Sequence, residues 1–267
     1  MSKLRLDQLL VNKGLYAARG AAKAAVMAGV VKVGGDVTRQ AGKQVDPQVQ
    51  IEVAPRMEFV SRAGGKLYAA LEELGISVAG KVALDSGSST GGFTDCLLSE
   101  GARKVIAVDV GYGLLAWRLR QDGRVEVHDR TNLRYIKPAD ISEAVEIATL
   151  DLSFISLEKV LATVKACLSP HGEVLALIKP QFEVGKGKVG KGGIVRDVSL
   201  HREVIIKIAD YARIVGLFAR GVAASAVPGA KGNVEYWLYA GERENALGDV
   251  ELSAAIEAAL KRGRELA

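Results

Sequence analysis

Val82-Ala83-Leu84-Asp85-Ser86-Gly87-Ser88-Ser89-Thr90-Gly91-Gly92-Phe93 is the stretch that decides the fold: a short apolar run ends in an acid and breaks into small residues. It reads as a strand, a tight turn and the start of a helix, the place where an α/β sheet receives a nucleotide-like ligand. A second apolar run, Lys104 to Val108, ends in Asp109 and puts another carboxylate at a neighbouring strand tip, within reach of ribose hydroxyls. The turn lacks the G-x-G-x-x-G spacing that lets a pyrophosphate approach the backbone. Two acids at adjacent strand tips suit a cationic ligand carrying an adenosine, and S-adenosylmethionine has that charge pattern. Taken alone, the motif also fits an ordinary glycine turn.

Outward from this turn, from Lys81 on, strand-like runs (81–85, 104–109, 124–128, 146–151, 173–178, 217–226 and 235–240) alternate with helix-like ones (91–100, 112–121, 156–168, 199–215 and 250–262). The pattern predicts an α/β fold, a Rossmann-like, mostly parallel seven-stranded sheet wrapped by helices, with chemistry at the carboxyl ends of its strands. Polar residues stand at those ends. Asp151 closes Glu146–Leu150, Lys179 closes Val174–Ile178, Glu235 opens the last strand, and Lys66 starts the helix before the first one. Each is a candidate surface ion-pair residue; together they are a candidate catalytic tetrad.

The chain has 267 residues, 49% of them hydrophobic, enough for a large domain and a small one. Cys96 and Cys167 match neither a disulfide framework nor a metal spacing, and His128, His171 and His201 are scattered, so no metal site is expected. The first ten residues lack the apolar core of a signal peptide, and no run approaches a membrane-spanning length. A cytoplasmic protein is the expectation.

The formal net charge is +5, and residues 1–60 carry nine basic against five acidic side chains, a plausible polyanion footprint. Leu4, Leu6, Leu9 and Leu10 trace one helical stripe, and Ala17 to Met27 is a second helix-like run with Arg19 and Lys23 one turn apart. Strand-like runs at 29–35 and 49–53 follow. Two small helices ahead of Gly29-Val30-Val31-Lys32-Val33-Gly34-Gly35 resemble the RNA-binding module first described in the fourth ribosomal small-subunit protein. That resemblance implies an α+β domain over 1–55, a linker at 56–62 and the main domain over 63–267. The basic candidates for RNA are Lys3, Arg5, Arg19, Lys23, Lys32 and Arg62, holding phosphate and shape.

The motifs Ser61–Leu67, Asp85–Phe93, Val108–Gly113, Arg130–Asn132, Asp151–Leu157, Ile178–Glu183 and Lys231-Gly232-Asn233-Val234-Glu235 are, as a set, similar to the FtsJ-type ribose 2′-O-methyltransferases. The whole architecture resembles their haemolysin A (TlyA-type) branch, which acts on cytidine ribose in ribosomal RNA. The resemblance implies that Asp85 and the turn Ser86, Gly87, Ser88, Ser89, Thr90, Gly91 and Gly92 hold the amino-acid end of S-adenosylmethionine and Asp109 its ribose. Asp129 either meets the adenine edge or caps a loop. It implies ribosomal RNA or ribosomal subunits as partners, with neither metal nor membrane involved.

For the chemistry, a 2′-hydroxyl must lose its proton to a base as it attacks the sulfonium methyl in line. Lys179 is the candidate base, with Asp151 its nearest partner. Lysine serves as a base only when neutral, and Lys66 beside it would supply a second cation that favours that state. Gly185-Lys186-Gly187-Lys188-Val189-Gly190-Lys191-Gly192 has glycine where a phosphate loop needs Ser or Thr, so nucleotide hydrolysis is disfavoured. Lys186, Lys188 and Lys191 make it either a basic lid over RNA phosphates or a plain surface loop. A non-catalytic assembly factor and a haemolysin remain the alternatives.

Overall fold

The computed structural model describes residues 3–16, 18–27, 29–53, 59–185 and 187–266. The chain divides into two compact units, Met1–Glu58 and Phe59–Ala267.

In the first unit, β1 (Leu4–Arg5) runs into α1 (Leu6–Asn12), followed by α2 (Arg19–Met27), β2 (Val31–Val33), β3 (Asp36–Val37), β4 (Gln44–Val45) and β5 (Ile51–Val53). The apolar stripe of α1 (Leu6, Leu9, Leu10) meets Ala22 and Val26 of α2 and Val31 and Val33 of β2 in one small core. β2 pairs antiparallel with both β3 and β5, while β1 pairs with β4. Strands this short escape a sequence reading, because two residues carry no period. Of the expected linker at 56–62, residues 56–58 lie outside the described residues. Phe59 to Arg62 are packed: the Val60 N–H donates to Asp95 at 2.8 Å, the Phe59 ring lies 6.5 Å from that of Tyr68, and Arg62 already begins a helix.

The second unit starts with that helix, α3 (Arg62–Leu74), then β6 (Val82–Ser86), α4 (Gly92–Ser99), β7 (Lys104–Val108), α5 (Trp117–Arg120) and β8 (Val125–His128). It continues with β9 (Val145–Leu150), α6 (Leu161–Cys167), β10 (Leu168–Ile178), α7 (Pro180–Glu183), α8 (Val198–Ile214), β11 (Phe218–Ala224), β12 (Tyr236–Gly241) and α9 (Asp249–Leu266). The sheet order is β11-β12-β10-β9-β6-β7-β8, parallel from β10 to β8 and antiparallel where β12 lies between β10 and β11. β6 is buried along its length, as a central parallel strand covered on both faces must be. Its side chains alternate: Val82 and Leu84 enter a core with α6, α8 and α9, and Ala83 enters the other, with α3 and α4.

Three elements of the second unit differ from the sequence expectation, the first being the helix expected at 156–168, which is a 3-10 turn over Leu157–Lys159 followed by the shorter α6. The helix expected at 112–121 is confined to Trp117–Arg120, because Gly113 takes a left-handed φ of 68° and the segment before it is a loop. β10 reaches back to Leu168 through a register shift against β9, with His171 at φ 64°.

Candidate active site

The chain runs from β6 outward to β7 and β8, then returns to β9 on the other side of β6. This reversal opens a crevice at the carboxyl ends of the strands, where open α/β sheets bind ligands. Two adjoining cavities lie there. One, of about 210 Å³, is walled by Ser61, Ala63, Gly87 to Thr90, Gly92, Phe93, Asp151, Ser153 and Lys179. The other, of about 530 Å³, is walled on one side by Val108, Asp109 and Val110 and on the other by Thr131 to Arg134 and Leu152 to Ile155. Gly87, Ser89, Asp151 and Ser153 line both, so the two form one continuous cleft.

The turn after β6 shapes their shared wall. The Gly87 N–H donates to Val108 O and the Asp151 N–H to Ser86 O, which lash the tips of three strands together. Gly87 sits at φ 84°, and a Cβ there would stand 2.6 Å from the Asp151 carbonyl oxygen, so only glycine lets the turn lie this close. Both carboxylate oxygens of Asp109 accept backbone N–H groups, from Ser89 at 2.8 Å and Gly111 at 2.7 Å, which holds the acid rigidly at the edge of the larger cavity.

Asp85 is placed otherwise than the sequence suggested. Its side chain is fully buried under the turn and reaches neither cavity wall; it accepts the Thr94 hydroxyl at 2.6 Å and leaves Oδ1 without a partner. Burial pushes its carboxyl up to about 7, and the nearby Asp151 and Asp109 charges push the same way. Ser86 is likewise buried, with Oγ unpartnered. Of the two readings for Asp129 the structure has the loop cap: Arg120 pairs with it at 2.5 Å and the Gly113 N–H donates to it, and it lines neither cavity. Thr131 and Asn132, two and three positions on, line the larger cavity in its stead.

The four tetrad candidates form two ion pairs. Lys66 donates from α3 to Glu235 at 2.7 Å, both nearly buried. Lys179 is bonded to Asp151 and donates to Ser153 Oγ at 3.2 Å. α7 joins the pairs: Lys179 precedes it, and Gln181 within it donates to the second oxygen of Glu235 at 3.3 Å. Each lysine thus faces its own carboxylate. Glu183, at the end of α7, is buried by its packing and accepts the Leu157 N–H at 2.8 Å, pinning the Asp151–Leu157 loop against the lysine-bearing turn. Gln181, Ser153 and Glu183 all fall inside motifs visible in the sequence, but their roles depend on which chain end they meet.

That loop also raises an aromatic lip. Phe154 is 90% exposed, holds a left-handed φ of 63° and lies 4.9 Å from the Phe182 ring. Non-glycine residues keep such a backbone only where the surroundings impose it, commonly at functional sites. Among its described residues the glycine-rich basic segment holds a three-residue 3-10 turn, Lys191–Gly193, and no α-helix begins before Val198. It is tied to the β12 end instead: Asn233 accepts the Val195 N–H and donates to Gly193 O, and His201 Nε2 donates to Val195 O while Nδ1 accepts the Tyr236 hydroxyl. Burial pushes His201 down, in keeping with a neutral ring in that arrangement. Lys188 and Lys191 are exposed; Lys186 lies outside the described residues. Lys3, Arg5, Arg19, Lys23, Lys32 and Arg62 are all exposed. Among the described residues no cluster of candidate ligands could hold a metal ion, and no helix is long and apolar enough to cross a membrane.

Residues 59–242 match the FtsJ-like methyltransferase family and residues 4–51 the S4 domain. A Mycobacterium tuberculosis protein named 16S/23S rRNA (cytidine-2′-O)-methyltransferase TlyA is 42% identical over 264 residues, 98% of each chain. Hemolysin A of Brachyspira hyodysenteriae is 40% identical over 87% of this chain and 98% of its own. A solved structure from Streptococcus thermophilus that carries the name hemolysin superposes with a TM-score of 0.74 at 36% identity, covering 100% of this chain and 97% of the other.

Proposed function

The chain belongs to the FtsJ-like methyltransferase family and carries an S4 domain ahead of the catalytic unit, and from this premise we propose that it methylates the ribose 2′-hydroxyl of a cytidine in ribosomal RNA, using S-adenosylmethionine. The observation that carries the reading is the Lys179 amine, steadied by Asp151 and Ser153 on the smaller cavity's wall, beside a larger cavity bounded by Asp109.

The residues fit the cofactor. Asp109 stands where a ribose diol can donate to it, Asn132 and Leu133 offer polar and apolar surface for an adenine, and Asp151, which lines both cavities beside the Gly87 turn, suits the cationic amino-acid end. When bound, S-adenosylmethionine supplies an electrophilic methyl on sulfonium, whose transfer leaves a neutral thioether.

Everything else falls to the side chains. As the base, Lys179 Nζ takes the 2′-hydroxyl proton, a task that calls for the free-amine form of a lysine, and Asp151 and Ser153 hold that nitrogen at the wall of the smaller cavity. The Lys66–Glu235 pair, through Gln181, holds the turn that presents Lys179. Phe154, exposed at the mouth, can stack an unpaired base. The Hemolysin A name of one relative calls for a different chemistry, and the features assembled here are those of group transfer.

The test is transfer of labelled methyl groups from S-adenosylmethionine to isolated ribosomal subunits, followed by mapping of ribose methylation. Incorporation at a cytidine 2′-oxygen is expected, with a loss of at least about 10²-fold in Lys179→Ala, the scale of general-base catalysis, while cofactor binding persists. Equal incorporation by Lys179→Ala overturns the assigned base. RNA binding by the wild-type chain with no incorporation on any subunit overturns the enzyme reading.

A further inference from the structure

The start of α1 carries an acid that neither the methyl-transfer cleft nor the small core uses. Asp7 is only 2% exposed, yet it accepts from Arg5 Nε at 3.1 Å and Nη2 at 2.9 Å, and from Arg19 Nη2 at 3.2 Å. The arginines themselves stay open, their side chains 49% and 53% exposed. The carboxylate is thus withdrawn from solvent while both of the side chains that hold it stay about half open.

The backbone builds this arrangement. The Asp7 N–H donates to Ala41 O and the Leu6 N–H to Lys43 O, each at 2.9 Å, which seats the acid against the 41–43 turn. The Arg5 guanidinium lies over Gly42, where a Cβ would stand 3.1 Å from Nη1. Arg5 comes from β1 and Arg19 opens α2, so one acid fixes two cations supplied by separate elements. The hydrogen bonds from Arg5 above all hold the Asp7 carboxyl at about 2, far below the usual range, so it is charged at any working pH.

On charge alone this acid is a handicap in a unit that binds a polyanion, and ion pairs with half-exposed partners add little stability. Asp7 engages two of the five N–H donors of Arg5 and one of Arg19, which leaves each fork able to take phosphate oxygens. We propose that Asp7 is a positioning residue for RNA, locking Arg5 and Arg19 into a preformed two-armed clamp for backbone phosphate. Fixing both forks beforehand removes the rotamer entropy that two long side chains would otherwise lose on binding. The inference rests on the reading that this unit binds ribosomal RNA.

The experiment uses the full chain, with affinity for purified ribosomal RNA and for polyuridylate measured across a salt series, and methyl transfer to ribosomal subunits followed alongside. Asp7→Asn raises the net charge by one, yet is expected to weaken ribosomal RNA binding about three- to tenfold by loosening both forks. The loss should appear in KM rather than kcat, and polyuridylate binding should hold or tighten. In the Arg5→Gln/Arg19→Gln background, Asp7→Asn should add no further loss, since it acts only through those side chains. Unchanged or tighter ribosomal RNA binding by Asp7→Asn, or an undiminished effect in the arginine-free background, overturns the clamp. Should Asp7→Asn unfold the unit, Arg5→Lys/Arg19→Lys keeps every charge and removes only the forks; a similar loss supports the clamp and wild-type affinity refutes it. If Arg5→Gln/Arg19→Gln leaves ribosomal RNA binding intact, the RNA-binding reading of these arginines fails; if it abolishes binding while Asp7→Asn does nothing, only the clamp fails.

Discussion

Lys66→Met separates a catalytic role for the buried pair from a purely architectural one. The Lys66 and Glu235 side chains are 9% and 2% exposed and meet at 2.7 Å, so removing the ammonium leaves a carboxylate out of water with the Gln181 amide, at 3.3 Å, as a neutral donor. Breaking a buried pair from one side costs about 3–5 kcal/mol; with Gln181 still donating, the lower end, about 3 kcal/mol, is expected. At roughly 2–4 °C per kcal/mol for a unit of this size, its melting temperature should fall by roughly 6–12 °C. Lys66→Met/Glu235→Gln removes both charges together and should recover to within about 1 kcal/mol of wild type. Calorimetry on the methyltransferase transition and labelled methyl transfer, both on the full chain, read the two effects separately. Methyl transfer should stay low in the single and the double variant alike, because the ionic network behind Lys179 is gone in both. A single variant that melts with the wild type refutes the energetics. Activity that returns with stability in the double variant refutes the functional role.

Two further outcomes probe the cofactor turn. Gly87→Ala would put a methyl 2.6 Å from the Asp151 carbonyl and strain a φ of 84°, so cofactor affinity should drop about five- to 150-fold, the equivalent of a strain of about 1–3 kcal/mol; calorimetric titration with S-adenosylmethionine checks it, and unaltered affinity would show that the turn can shift away from Asp151. Asp85, raised from 3.8 to about 7, holds a proton in the folded state that the unfolded chain has already released, so its contribution to stability is complete below about pH 4 and is lost as pH rises through 7. Asp85→Asn stays neutral and still accepts from Thr94, so its stability relative to wild type should grow between about pH 4 and pH 7; denaturant titrations at pH 5 and pH 8 giving the same difference would refute the assignment.

The unequal legibility of the site has a simple cause. Asp109, Asp151 and Lys179 end apolar runs, and a run that ends in a charge marks a strand tip without any knowledge of its neighbours. The turn after Asp85 announced itself through composition. Asp129 has a similar local signature, a strand end followed by an acid, but Arg120 lies close enough to claim it, and only the folded loop brings the two together. Asp85 looked like a cofactor contact because its sequence position adjoins the turn; whether it points into the cleft or beneath it depends on the pleat and on Thr94 of the following helix. Gln181 and Glu183 gain their roles from Glu235 and Leu157, partners 54 and 26 positions away.

The order of polar and apolar residues by itself determined the two-part organisation, the alternating strands and helices, the glycine turn and the residue types available for methyl transfer. It could do so because burial on both faces of a parallel strand, the helical period and the backbone freedom of glycine are local constraints written directly into composition and spacing. Only the tertiary structure decided the strand order, the reversal of β12 and the division of four charged residues into two pairs, Lys66 with Glu235 and Lys179 with Asp151. A charge's partner is set by distances of a few ångströms across the sheet edge, and no linear spacing encodes that choice.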